Sequence, residues 1–183
     1  MIDIVEEAPA HVGAREVLLD LSFGPDRFAK TSERLREGRL PAFAFTALDE
    51  TGKLVGTVRL WHVVDEAGQN ALLLGPLAVD PECRSQQVGG RLMRHALNQV
   101  ALSGHGAVIL VGDLPYYARF GFQSGLLDAV TLPGPFERDR FLGLELKPAQ
   151  TSGLSGCLRA SGQADLSVGR DYPDVLSAAR NAA

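Results

Sequence analysis

The run ALLLGPLAVDPECRSQQVGGRLMRHALNQVALSGHGAVILV, residues 71–111, decides the architecture. Ala71 to Val79 is strongly apolar and stops at Asp80-Pro81, the profile of a core strand. A polar loop, Glu82 to Gly90, follows. Val88, Leu92, Ala96 and Val100 then recur every four residues, with Arg91, Arg94, His95, Asn98 and Gln99 supplying a wet face, which predicts an amphipathic helix. Ser103-Gly104-His105-Gly106 ends it. Ala107 to Val111 is continuously apolar and reads as a strand buried on both faces. Strand, loop, helix, strand is a crossover unit, so the two strands should run parallel.

Working outward, Ile2 to Glu6 alternates apolar and polar as a short strand does. Pro9 opens a helical stretch whose stripe is Val12, Val17, Leu18, Leu21 and Phe23, ended by Gly24-Pro25. A second short helix is expected over about 26–37, with Phe28 and Leu35 facing inward and Gly38 as its C-cap. From Ala42 the period becomes two. Ala42 to Leu48 and Lys53 to Val64 read as a hairpin around Asp49-Glu50-Thr51-Gly52, with Val55, Val58, Leu60 and Trp61 as core candidates. On the far side, Gly112 to Pro115 turns into a short helix, Tyr116 to Phe120, ended by Gly121. Ala129 to Leu132 and Arg140 to Leu146 look like strands. Antiparallel strands around one parallel pair make an α/β (α+β) sandwich. Residues 1–147 are expected to form the domain, and 148–183 an extension packed on it or trailing from it.

The 183 residues suffice for one domain with a real core, since 45% are hydrophobic. A net charge of -4, with the arginines scattered, argues against a nucleic-acid partner. No segment approaches the roughly 20 apolar residues of a membrane span, and the acidic start, Met1 to Glu7, is no secretory signal. Cys83 and Cys157 fit reduced thiols, so the protein is expected to be cytoplasmic. No Cys, His or Asp cluster has metal spacing, and no Ser/His/Asp order suggests a hydrolase.

The loop before the long helix carries the chemistry. A helix N-terminus leaves its first four N–H groups unpaired and holds positive potential. A pyrophosphate fits there. Gly89 and Gly90 let a ligand approach the backbone. Arg84 adds charge, with Arg91 and Arg94 near in sequence, and Ser85, Gln86 and Gln87 offer further donors.

Leu74-Gly75-Pro76-Leu77-Ala78-Val79-Asp80-Pro81, the Arg84 to Gly90 loop, and Gly112-Asp113-Leu114-Pro115-Tyr116-Tyr117-Ala118-Arg119-Phe120-Gly121-Phe122, taken in that order, resemble the GNAT acetyltransferase superfamily and its YhbS-like branch. The specific motifs occupy about 71–122, and the element order agrees over about 1–147. The resemblance implies the GNAT fold: a mixed, mostly antiparallel sheet with a central splayed parallel pair, flanked by helices. It implies acetyl-CoA as acyl donor, its pantetheine arm on the backbone of Leu77, Ala78 and Val79. Its pyrophosphate would sit on the amides of Ser85, Gln86, Gln87, Val88, Gly89 and Gly90, with Arg84 beside it. The family loop has a glycine where this chain has Gln87. If the backbone there needs positive φ, the Cβ is costly; if φ is helical, the N–H survives. The intact flanks favour the helical reading.

The implied reaction is direct attack of a primary amine on the thioester, the acceptor being a small molecule or a peptide. A backbone N–H near Val79 would polarise the carbonyl, and Tyr117 would be the general acid for the departing thiolate. The base is not legible: His62, Glu82 and Asp113 are candidates, each outweighed by a structural reading, and Asp113 could equally cap the following helix. His105 reads as a solvated turn residue. The alternative is a non-catalytic acyl-CoA-binding module with a degenerate phosphate loop. Exposed edge strands leave a homodimer open.

Overall fold

The computed structural model describes residues 1–167. The strands are Asp3–Glu6 (β1), Phe43–Leu48 (β2), Leu54–Val64 (β3), Asn70–Val79 (β4), Ala107–Val111 (β5), Val130–Thr131 (β6), Phe141–Glu145 (β7), Gly156–Cys157 (β8) and Arg159–Ala160 (β9). The helices are Val12–Phe23 (α1), Val88–Leu102 (α2) and Leu114–Tyr117 (α3). The main sheet runs β1-β2-β3-β4-β5-β7, with β9 on the end of β3. Within it only β4 and β5 are parallel. This is the mixed α/β sandwich that the crossover at 71–111 requires.

α2 covers one face. Val88, Leu92, Met93, Ala96 and Val100 are fully buried against Val58, Leu60, Leu72, Leu74, Val108 and Leu110. Each large side chain so buried is worth roughly 1.5–3 kcal/mol. The opposite face is covered in two pieces. α1 lays Leu18 and Leu19 on Leu54 and Ala78, while Leu35, Leu154 and Leu158 cover Trp61, Leu73 and Ile109.

Two helix readings are corrected. In α1 the buried residues are Arg15, Leu18 and Leu19, and Val17 and Leu21 are about two-thirds exposed. An ion-paired arginine takes a place where an apolar stripe was expected. The expected helix over 26–37 is two 3₁₀ turns, Pro25–Ala29 and Thr31–Leu35, separated by extended Lys30. With no apolar stripe to bury, the segment follows the surface: Leu35 goes in, but Phe28 stays 60% exposed.

Residues 148–167 pack on the second face. Asp65, fully buried, accepts the N–H of Ser155 at 2.9 Å and of Gln69 at 2.8 Å, and Glu66 accepts Cys157 N–H at 3.0 Å. β6, expected from 129–132, pairs with β8 outside the main sheet. The rest of the extension, 168–183, lies outside the described residues.

Candidate active site

The pairing of β4 with β5 covers only Leu72↔Val108 and Leu73↔Ile109. Immediately beyond it, the register of β4 on β3 shifts from Leu60↔Leu74 to Val58↔Leu77, so Gly75 and Pro76 together face Arg59. The extra residue is a bulge, which bends the strand and breaks the ladder. Trp61 donates its indole N–H to the Gly75 carbonyl at 2.7 Å and anchors the bend. β4 therefore leaves β5 and opens a cleft from Gly75 to Val79.

The free edge of β4 is polar. Asp80 N–H donates to Val55 C=O at 2.9 Å. Alternation along an antiparallel ladder then turns Ala78 toward β3 and the peptide groups of Leu77 and Val79 toward the cleft. Ala78 directs its side chain to α1.

The cleft continues past the N-terminus of α2 as a groove of about 710 Å³, lined by Leu77, Ala78, Val79, Gln87, Gly89, Gly90, Arg94, Tyr116, Tyr117 and Arg119 among others. The first intrahelical bond runs from Arg91 N–H to Gln87 C=O, at 3.0 Å. The N–H groups of Val88, Gly89 and Gly90 precede it and are the orphans of the first turn. A Cβ on Gly89 would stand 2.7 Å from the Tyr116 hydroxyl, so a side chain there would have to push the Tyr116 ring aside. Arg84 and Ser85 lie in the 3₁₀ turn Pro81–Gln86. Arg91 is diverted: it donates to the Ile2 carbonyl at 2.7 Å. Arg94 and Arg119 line the groove instead and make no ion pair among the described residues.

Gln87 is left-handed, φ 57° and ψ 22°, which corrects the helical reading of that residue. The chain passes there from a 3₁₀ turn into α2 and must change axis within one residue. That is the geometry a glycine serves at lowest cost.

Tyr117 is the last residue of α3, and its ring folds back on the passage from β5 into α3. Its ring lies over Gly112, where a Cβ would be 2.3 Å from Cε2. It meets Tyr116 edge-on at 4.9 Å and Phe122 at 5.9 Å. Burial, reinforced by the Tyr116 and Asp113 oxygens, pushes its hydroxyl up to about 12. It therefore stays protonated throughout the neutral range.

A second, smaller chamber of about 220 Å³ opens on the α1 side and shares Phe23, Leu77, Asp113 and Tyr117 with the groove. Sequence reasoning missed its other lining residues, Lys30, Glu33, Arg36 and Arg140 among them. They come from irregular segments that carry no periodic signal. Of the base candidates, Asp113 reaches both spaces. Its carboxylate pairs with Arg140 Nε at 3.2 Å and does not cap α3. His62 lies 5.4 Å from His105 with the rings tilted at 46°, and neither His62 nor Glu82 lines either space. Burial pushes the His105 imidazole down. Among the described residues no cluster could hold a metal ion, and no helix is long and apolar enough to cross a membrane.

A splayed parallel pair, an open helix N-terminus beside it and a tyrosine at the junction define the GNAT class of acyl-CoA N-acyltransferases. The chain matches the acetyltransferase (GNAT) domain over residues 41–124. It is 34% identical over 119 residues to the uncharacterized N-acetyltransferase YhbS of Escherichia coli K12, spanning 64% of this chain and 71% of that protein. It is 31% identical over 131 residues to the uncharacterized N-acetyltransferase YjhQ of the same strain, spanning 68% and 72%. The crystal structure of E. coli YhbS in complex with CoA superposes with a TM-score of 0.76 at 27% identity, over 87% of this chain and 89% of that one. A GNAT family acetyltransferase from Brucella melitensis, in complex with acetyl-CoA, shares the fold with a TM-score of 0.64 at 22% identity, over 90% and 94%. This chain belongs to the GNAT N-acetyltransferase family.

Proposed function

We propose that the protein moves an acetyl group from acetyl-CoA to a primary amine by direct attack. The observation that carries this is the bare edge of β4 running straight into the orphan amides of α2, with Tyr117 where groove and chamber meet.

The residues present fit acetyl-CoA. The N–H groups of Val88, Gly89 and Gly90 and the charges of Arg94 and Arg119 suit its phosphates. The free peptide groups of Leu77 and Val79 can add a pantetheine arm to the sheet edge as a further strand would be added. Arg84, Ser85, Gln86 and Gln87 complete the loop, and Ala78 holds the strand onto β3. When bound, acetyl-CoA supplies an activated acyl group with a thiolate leaving group.

The chain's own work is then defined. The N–H groups of Leu77 and Val79 are donors available to a carbonyl in the cleft. The amine enters from the smaller chamber, its N–C bond forming as the C–S bond breaks. The Tyr117 hydroxyl donates to the departing sulfur, and the amine nitrogen gives up the proton that restores it.

The experiment is thiol release from acetyl-CoA with a broad panel of amines, run on the wild type and on Tyr117→Phe. Turnover is expected, and the variant should lose roughly 10²–10⁴-fold in kcat. Tight acetyl-CoA binding without turnover of any amine would favour the second reading, a non-catalytic acyl-CoA-binding module. The observation on its side is Gln87, a side chain at a left-handed position of the phosphate loop.

A further inference from the structure

We propose that the acceptor is a small amine carrying its own carboxylate, of amino-acid size, and that Arg36 and Lys30 receive that carboxylate. This rests on the acetyl-transfer reading and adds the substrate class to it.

The chamber of about 220 Å³ falls below the roughly 300 Å³ at which pockets for drug-sized ligands begin. It suits a molecule of a dozen or so heavy atoms, not an oligosaccharide or a folded chain.

Its charge is unbalanced. Four cations line it. Arg27 is paired with Glu16 and, at 2.7 Å, with Asp20, and Arg140 is paired with Asp113 at 3.2 Å. Arg36 and Lys30 are different. The Arg36 side chain is 12% exposed; among the described residues its one carboxylate is Glu33 at 3.6 Å, and its enclosed Nε donates to none of them. It lies at the bend of β4, where a Cβ on Gly75 would be 2.9 Å from its Nη2. Burial pushes its guanidinium down to about 10, which leaves it charged at neutral pH. Lys30 has no carboxylate partner among the described residues; its ammonium rests 4.6 Å from the centre of the Phe23 ring. A buried guanidinium with free donors is costly, and a carboxylate satisfies it with charge-assisted, often bidentate, hydrogen bonds.

The same charges act on the amine. An alkyl ammonium titrates near 10, and the ammonium of a free amino acid, beside its own carboxylate, lies only modestly lower. Nearby cations push both down. The amine therefore arrives closer to its neutral, nucleophilic form, in a chamber that no histidine among the described residues lines. A polyamine would bring more positive charge to a chamber already in excess of it.

The test compares thiol release, with acetyl-CoA as donor, for the twenty proteinogenic amino acids, their decarboxylated amines and spermidine. Melting of the CoA-loaded protein is measured in each compound. At least one amino acid should be turned over with a kcat/KM roughly 10- to 100-fold above that of its decarboxylated partner, the scale of a charged hydrogen bond. Arg36→Gln should raise the KM for that amino acid and collapse the ratio toward one, leaving the stabilisation by acetyl-CoA alone intact. Lys30→Gln, at an exposed position, should lower the ratio in the same direction without a folding defect. A preference for the decarboxylated amine or for spermidine overturns the proposal, as does the absence of both turnover and a melting shift with every amino acid. If acetyl transfer itself is wrong, no amine of any class is turned over, whether or not acetyl-CoA raises the melting point; that pattern sinks both.

Discussion

Gln87 is where a family pattern and a backbone requirement meet in one residue. A non-glycine residue in the left-handed region costs roughly 1–2 kcal/mol, and glycine gives back about 0.5–1 kcal/mol in chain entropy. Gln87→Gly should therefore raise stability by up to about 1 kcal/mol in urea denaturation. A fall would show that the glutamine side chain earns its place through contacts. Tyr117 sets the pH behaviour. With its hydroxyl pushed up to about 12 by burial, it carries its proton across the assay range. kcat/KM should rise as the amine deprotonates, with no fall due to Tyr117 below pH 10, and Tyr117→Phe should lower the whole profile without moving the rise. A raised phenol favours the folded state below its ordinary value near 10, and that contribution is lost as pH climbs toward about 12.

At the scale of elements, the site depends on how β5 passes into α3. Gly112 is the hinge of that passage because the Tyr117 ring occupies the space of its missing Cβ. Gly112→Ala forces the ring aside; overpacking of this kind costs about 1–3 kcal/mol. A displaced catalytic group can cost on the order of 10²-fold in rate, so kcat should fall while acetyl-CoA affinity holds. α1 is tied down differently. Glu16 is pushed up by burial, but hydrogen bonds from Arg27 and Arg15 outweigh this and hold its carboxyl below the usual carboxylate value. Its stabilisation is present above the ordinary carboxyl value and drains away as pH falls through the depressed one. Glu16→Gln should flatten the acid limb of a pH–stability curve, by well under about 1 kcal/mol because solvent screens a carboxylate this exposed. These contrasts explain what the sequence could reveal. The β4–α2–β5 crossover was legible because Leu92, Ala96 and Val100 repeat in register with a fully apolar sheet. Short motifs pointed to the loop before α2 and to Tyr117, and both line the groove. The chamber was not, because Lys30, Glu33, Arg36 and Arg140 come from 3₁₀ turns and loop ends, where packing and not periodicity decides what faces inward. α1 misled for a related reason, its inward face being shared with the ion-paired Arg15.

Across the whole molecule, the two faces of the sheet divide the labour. The N-terminus of α2 contributes to the groove proposed for the cofactor; the other face carries the chamber wall, propped from behind by the C-terminal segment. Leu40 N–H donates to Gln163 C=O at 2.8 Å, Arg39 to Gly162 C=O at 2.8 Å, and Asp165 N–H to Gly38 C=O at 2.9 Å, just past Arg36. The segment is itself moored by Asp65, whose buried carboxylate holds the N–H groups of Ser155 and Gln69. Asp65→Ala strands both donors, each at roughly 1–3 kcal/mol. A melting point lower by about 5–15 °C is the expected result for a chain of this size. The kinetic consequence should be one-sided. Below the new melting point, acetyl-CoA should bind as before, because no residue of 148–167 lines its groove. The acceptor KM should rise, because the turn that carries Glu33 and Arg36 has lost its backing. Melting with and without acetyl-CoA, together with the two KM values measured at 20 °C, separates these effects. An equal rise in both would mean that the mooring supports the sheet as a whole and not the chamber wall alone.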